Sequence, residues 1–444
     1  MNRHFNVIAI AFVLLAIGCI PVFADSADDY WPAWRGPGGM GVSAQGQPPV
    51  TWSETENIKW KVKLTGDPSG ASPIVWADKV FFQEAVKTSV RAANAPSNTR
   101  PRRGPGGTPP SNVYRFDVVC LDRNTGNELW RRTVREELPH EGHHRDHGFA
   151  SFTPATDGKL LWANFGSRGV HCLDVEGNLK WSRDLGKMNT RNAFGEGGSL
   201  ALTGDALVVV RDHEGDSSIV ALDKGTGETL WKQQRDEPSA WSTPVPVEVD
   251  GKTQIIANAA NFIRSYDLET GETIWRCGGM TLNVVPTPVV GFGMVFCASG
   301  FRGSSLQAIA LGRTGDLTGS EAVKWHVDKA TPYVPSPLLY GEKLYVFAVN
   351  TAALSCYNAR TGEPYFVRER LEKIRGVYAS PVAAANRIYL AGRKGVTYVL
   401  KDSKKLEVLA INTLDDGFDA SPAIVGDKLY LKGKEHLYCI AEKQ

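Results

Sequence analysis

The chain holds no G-x-S-x-G turn and no H-E-x-x-H segment, so the serine nucleophile of an α/β-hydrolase and a metalloprotease zinc site both lack their usual carrier. Charge of one sign is missing too. Fifty Lys and Arg stand against 48 Asp and Glu, a formal +2 over 444 residues. That balance removes the general electrostatic case for nucleic acid or an anionic membrane surface. No long stretch carries a 3.6-residue hydrophobic period, which excludes helical bundles and helical solenoids. Cysteine is scarce, at seven, and no two are adjacent. Glycine (45) and tryptophan (12) are plentiful, and both recur at fixed places.

The N-terminus reads as an export signal. Arg3 and His4 precede a run from Val7 to Ile20 in which every residue is apolar or small, and "PVFADS" follows. Val22 and Ala24 supply the small −3 and −1 residues of a cleavage site, so residues 1–24 are expected to be a signal peptide cut after Ala24. The alternative is lipidation at Cys19, where "AIGC" resembles a lipobox with Ala16 in place of the usual leucine. Either way the mature chain is expected outside the cytoplasm, periplasmic or secreted, touching a membrane only if lipidated.

One short motif organises the rest. "CLDRNTGNELW" ends at Trp130, "CLDVEGNLKW" at Trp181, "ALDKGTGETLW" at Trp231, "SYDLETGETIW" at Trp275 and "CYNARTGEPYF" at Phe366. A phosphate-binding loop is made once, whereas this unit is made many times, so it is architecture. Each copy joins two strand-like runs. The glycine supplies the positive φ of a tight turn, and the Asp side chain can cap the turn's amides. Glycine and aromatic stand four apart, an even count expected to keep both on one face. Cys120, Cys172 and Cys356 share a slot held by Ala221 and Ser265 in other copies, so they read as small buried packing residues.

A second hairpin precedes each of these. It begins "ASPIVW" at Ala71, "FTPATD" at Phe152, "STPVPV" at Ser242, "PTPVVG" at Pro286, "PSPLLY" at Pro335, "ASPVAA" at Ala379 and "ASPAIV" at Ala420, with "GSLALT" at Gly198 lacking the proline. The eight copies are 41 to 49 residues apart, except across an insertion in the first gap. Four antiparallel strands per unit of this length specify a β-propeller. The last unit has only three strands, and "NIKWKVKL" from Asn57 is a spare strand with Trp60 at the usual place. The expected fold is therefore all-β: an eight-bladed propeller of four-stranded antiparallel blades, its ring closed by an N-terminal strand that completes the C-terminal blade. The expected organisation is a Trp/Gly/Pro-rich segment over residues 25–50, then the propeller over 51–444, with a disordered basic insertion at 86–112.

With the "ALD..TG..LW" hairpin, the chain resembles the quinoprotein-type (PQQ-like) repeat family, which includes quinoprotein dehydrogenases and the outer-membrane assembly lipoprotein BamB. The opening "WPAWRGPGGMGVS" from Trp31, followed by a Trp-Ser-Glu segment and "KWK", resembles a group of exported bacterial propellers of this kind. Resemblance to BamB implies a non-catalytic binding or scaffold module of the cell envelope, a monomer that takes a protein or polymer. Resemblance to the dehydrogenases implies PQQ with calcium and an oxidoreductase. Quinoprotein alcohol dehydrogenases clamp that cofactor between a tryptophan and a disulfide of adjacent cysteines, which this sequence lacks.

In a four-stranded meander the first and third turns fall on one rim, and the second turn and the blade-to-blade connection on the other. The first set here is short and uniform ("DGK", "GDA", "GEK", Thr-Gly). Irregular polar material is expected on the second rim, and a rigid scaffold with variable loops usually binds through the loops. "HEGHHRDH" offers His140, His143, His144, Asp146 and His147 as a candidate zinc or copper set. "RDHEGDSS" offers Asp212, His213, Glu214 and Asp216 for calcium or for acid–base work. With Arg302 of "GFRGSS", the residues His144, His147, Asp212, His213 and Asp216 make up the candidate ligand-binding set. Trp31 and Trp34 are expected to anchor the opening segment rather than to stack a ligand. No single catalytic residue stands out.

Overall fold

Eight sheets follow one another along the chain, seven of them four-stranded and one five-stranded. This computed structural model describes residues 30–93, 95 and 106–442; the signal-peptide reading and Cys19 lie outside them. Blade 1 comprises Ile74–Trp76, Lys79–Arg91, Asn112–Asp122 and Glu128–Glu137. Blade 8 comprises Ala423–Val425, Lys428–Lys432 and His436–Ile440, and Ile58–Lys63 pairs antiparallel with His436–Ile440 as its fourth strand. The spare strand thus closes the ring and removes the free edge it would otherwise leave. First strands of neighbouring blades contact one another, so they surround the axis.

Burial follows position within the blade. Middle strands are covered on both faces by adjoining blades: Met294–Ser299 and Ser305–Ala310 are buried at every residue. Outermost strands such as Thr229–Gln234 are mostly exposed. All six described cysteines are free and buried, as packing residues should be.

The Thr-Gly turns bolt each blade to the one before it. Asp223 Oδ1 accepts hydrogen bonds from the Gly225 and Thr226 N–H groups at 3.0 and 2.7 Å, and Gly227 has φ 72°. A Cβ on Gly227 would sit 2.6 Å from the Trp181 ring, and Trp181 Nε1 donates to Lys224 O at 3.2 Å. Trp60, Trp130, Trp231 and Trp325 dock in the same way on Gly126, Gly177, Gly271 and Gly362. The even-count expectation therefore needs correcting. A β-bulge between glycine and tryptophan leaves Leu230 unpaired, and the glycine meets the tryptophan of the preceding blade instead.

Two further expectations change. The insertion is not disordered throughout: strand continues through Arg91, with Val86 paired to Arg115 and Lys87 to Tyr114, because both arms alternate as strands do. Residues 96–105, including Arg100, Arg102 and Arg103, lie outside the described residues. Third turns are not uniformly short either. Blade 5 carries Gly315–Asp316, which pairs parallel to the outer strand of blade 4 and covers Trp275, now fully buried.

Candidate functional site

The opening segment is a plug. Trp31 exchanges backbone hydrogen bonds with Val75 of blade 1 (2.9 Å each way), and Pro32 O accepts from Thr156 N of blade 2 at 2.9 Å. Trp34 Nε1 donates to Thr287 Oγ1 of blade 5 at 3.0 Å, and Arg35 Nη2 to Pro337 O of blade 6 at 2.7 Å. Ser43 N reaches Ala383 O of blade 7, and Gln47 N reaches Gly426 O of blade 8. A short segment that touches the inner part of six blades must lie across the axis. Gly36 makes this turn possible: its φ is 70°, and a Cβ there would lie 2.6 Å from the Trp31 ring.

Above the plug runs a belt of hydroxyls set by the Ser/Thr-Pro elements. Ser72 N donates to Thr153 Oγ1, Thr153 N to Ser199 Oγ, and Ser199 N to Thr243 Oγ1, at 2.9 to 3.0 Å. The chain of bonds resumes with Thr287 N to Ser336 Oγ, Ser336 N to Ser380 Oγ and Ser380 N to Ser421 Oγ, each 2.9 Å. The sequence shows these residues as strand starts; their spacing, one per blade, is the signal that they ring the axis.

Plug and belt bound a pocket of about 650 Å³ that opens among the second turns and the blade-to-blade connections. Trp34 belongs to its lining, so it is not merely an anchor; Trp31, fully buried, is. Phe194, Trp241, Phe301, Tyr333 and Tyr378 supply apolar faces, and Trp241 is fixed by Nε1 donating to Gly195 O at 2.7 Å. Arg393 holds the pocket's two carboxylates, with Nη2 2.9 Å from Asp146 Oδ1 and Nε 2.6 Å from Asp419 Oδ1. Its guanidinium also lies 3.8 Å over the Tyr378 ring. Asp146 is held below the ordinary carboxylate range because its pairing with Arg393 outweighs its partial burial.

His144, His147 and Arg302 do line this pocket. Burial pushes the His147 ring down to about 4, and lowers His144 as well, so both are neutral at pH 7. Asp212 and His213 do not reach it. Asp212 is fully buried in a two-point ion pair with Arg235 (2.7 and 3.0 Å), and Arg235 also donates to the Tyr266 hydroxyl. The sequence showed a polar loop, but Asp212 directly follows the strand Ala206–Arg211 and so stays between blades. Asp216 and Glu214 are exposed, away from the pocket lining. The five candidate metal ligands are not brought together: His143 and His147 bond their own loop's carbonyls, and His140 bonds Met188 O. Among the described residues only His140, with Glu141 and Glu196, forms a group of metal-binding type. Glu196 is already engaged by Arg168 (2.8 Å), and Glu141 by Thr190.

A family model described as "Outer membrane protein assembly factor BamB" matches residues 115–368. No curated protein matches the chain. Among solved structures, BamB from Moraxella catarrhalis is 13% identical, with TM-score 0.52 over 80% of this chain and 98% of that one. Quinohemoprotein alcohol dehydrogenase from Comamonas testosteroni is 9% identical, with TM-score 0.61 over 94% of this chain and 82% of that one. The computationally designed Ika8 protein is 11% identical, with TM-score 0.53 over 89% of this chain and 100% of that one. At these identities the structural likeness speaks for the fold alone.

Proposed function

Starting from a chain that belongs to the BamB family, named for the outer membrane protein assembly factor, we propose that it is a binding module of the cell envelope. Its ligand or partner is held across the axial pocket on the long-loop rim. One observation carries this reading: the channel is plugged from within by the chain's own N-terminal segment, which turns a through-hole into a blind, aromatic-lined pocket. Concave sites of this size, with apolar walls and a few fixed polar groups, are where ligands bind.

The second reading, a quinone with calcium, meets residues that fit it poorly. Calcium needs several oxygen ligands, carboxylates foremost. Both carboxylates in the pocket lining are committed to Arg393, and no cysteine is among the lining residues to clamp a planar ring. The donor set supports binding rather than that redox chemistry.

A photo-reactive residue placed at Arg302 tests the proposal in intact cells. Adducts are expected from position 302 and none from Thr226 on the opposite rim. Adducts from Thr226 alone would overturn it. With the photo-reactive residue kept at position 302, His144→Ala removes a second lining side chain and should weaken the adducts.

A further inference from the structure

The pocket wall is rich in hydrogen-bond donors that have nothing to donate to. Ser199, Thr243, Ser336 and Ser380 each accept a backbone N–H from the neighbouring blade. Thr287 Oγ1 accepts Trp34 Nε1. With its oxygen so used, each hydroxyl keeps its own hydrogen, and among the described residues none of these hydrogens finds an acceptor. All five residues line the cavity, so whatever enters it meets a ring of hydroxyl donors.

Asn283 adds to the pattern. It lines the pocket, is only 1% exposed, and neither its Oδ1 nor its Nδ2 has a partner. The Tyr333 hydroxyl is the polar group beside the amide, and it lines the same pocket. Asn283 also holds φ 54°, a conformation that side-chain-bearing residues adopt at a cost and that clusters at ligand sites.

Charge completes it. Asp146 and Asp419 are neutralised by Arg393, and Lys434 lies 3.5 Å from Asp419. Arg191 and Arg302 make no ion pair among the described residues, and Arg302 lies 5.4 Å over the Phe301 ring. Two cations therefore remain uncompensated at the mouth.

We infer that the pocket receives a carboxylated sugar, the acidic end unit of an envelope glycan; this rests on the binding-module reading above. The ligand must be rich in acceptors, anionic, and able to lay an apolar face on Trp34 or Trp241. A sugar acid is all three. Its neighbouring hydroxyls satisfy an amide's oxygen and nitrogen together, its C–H face packs on aromatic rings, and its carboxylate meets the arginines. A peptide terminus brings backbone N–H donors into a wall already crowded with donors. The blind floor admits an end rather than a passing strand.

Titration calorimetry with the full chain separates these ligands, using digalacturonic acid, its dimethyl ester, a free-carboxylate tripeptide, and PQQ with calcium. The acid should bind and the ester should bind about tenfold more weakly or worse. Arg191→Gln with Arg302→Gln should erase that difference, while Thr243→Val weakens both sugars and leaves tripeptide binding unmoved. Equal binding of acid and ester by the parent chain overturns the inference. So does preferred binding of the tripeptide or PQQ, or no sugar binding by a chain that melts normally. If adducts still form at position 302 while both sugars fail, the sugar is wrong and the binding module stands. If those adducts are absent too, the reading beneath it has failed.

Discussion

On the short-turn rim five blades repeat one contact, a tryptophan ring lying on the glycine of the next blade's turn with its N–H on a carbonyl beyond. The long-loop rim repeats the Ser/Thr belt at its inner edge, but outside that belt its contacts follow no single pattern. Asp212 pairs with Arg235 there, Glu237 with Arg264, Glu196 with Arg168, and Asp146 and Asp419 with Arg393. Repetition is what a ring needs in order to close, since every interface must turn the chain through the same angle. Irregularity is what a specific site needs, since a ligand is not eightfold symmetric. One chain meets both needs by sending odd and even turns to opposite rims.

The largest expected effect removes what both rims depend on. A chain beginning at Gly66 lacks the plug and the strand Ile58–Lys63, so blade 8 keeps an unpaired edge and loses Trp60. Thermal unfolding should no longer be cooperative. If this shortened chain melts as sharply as the parent, closure by the N-terminal strand contributes nothing to stability.

The next effect sharpens the comparison by weighing one rim against the other. Trp231→Ala takes a ring that is 8% exposed from between two blades, at a cost of about 3–5 kcal/mol. Asp212→Asn leaves the Arg235 guanidinium buried with its charge uncompensated, also at about 3–5 kcal/mol. Denaturant melts of both variants decide the matter. Equal losses mean that the rims differ in repetition and not in strength. A loss only for Trp231→Ala means that the long-loop rim is spared structural duty.

What could be read from the sequence divides along the same line. The Thr-Gly turns, the spare strand and the blade count were all legible, because repetition exposes a pattern within a single chain. His144, His147 and Arg302 were legible as loop residues of the rim on which the pocket opens. Asp212 was not, because a polar letter in a loop does not reveal a partner such as Arg235 more than twenty residues later. Trp34 and Asn283 were missed for a related reason: the sequence places them beside anchors and turns, and only closure of the ring brings blade 5 against the plug. Arg393 shows the limit most clearly. It stands in an ordinary Ala-Gly-Arg-Lys-Gly turn of blade 7, yet it neutralises a carboxylate from the "HEGHHRDH" loop.

Acid separates the rims most finely. Burial holds His147 and His171 down at about 4, and His144 and His213 are lowered for the same reason. All four stand on or next to the long-loop rim. An unfolded histidine titrates near 6.5, so between about 6.5 and 4 the unfolded chain binds protons that the folded chain refuses. Stability is therefore lost as pH falls through that window, on the order of 3 kcal/mol for each of the two deepest rings. The short-turn rim answers at lower pH. Asp122 is held below its usual 3.8 chiefly by the Thr125 hydroxyl, and Asp223 chiefly by the Thr226 N–H. Their contribution is present above 3.8 and is lost as pH falls through the depressed values. His147→Gln with His171→Gln should flatten the melting curve's pH dependence between 6.5 and 4 and leave the limb below 4 in place. An unchanged slope in the upper window would show that these rings are protonated in the folded protein, and that the long-loop rim is wetter than its burial implies.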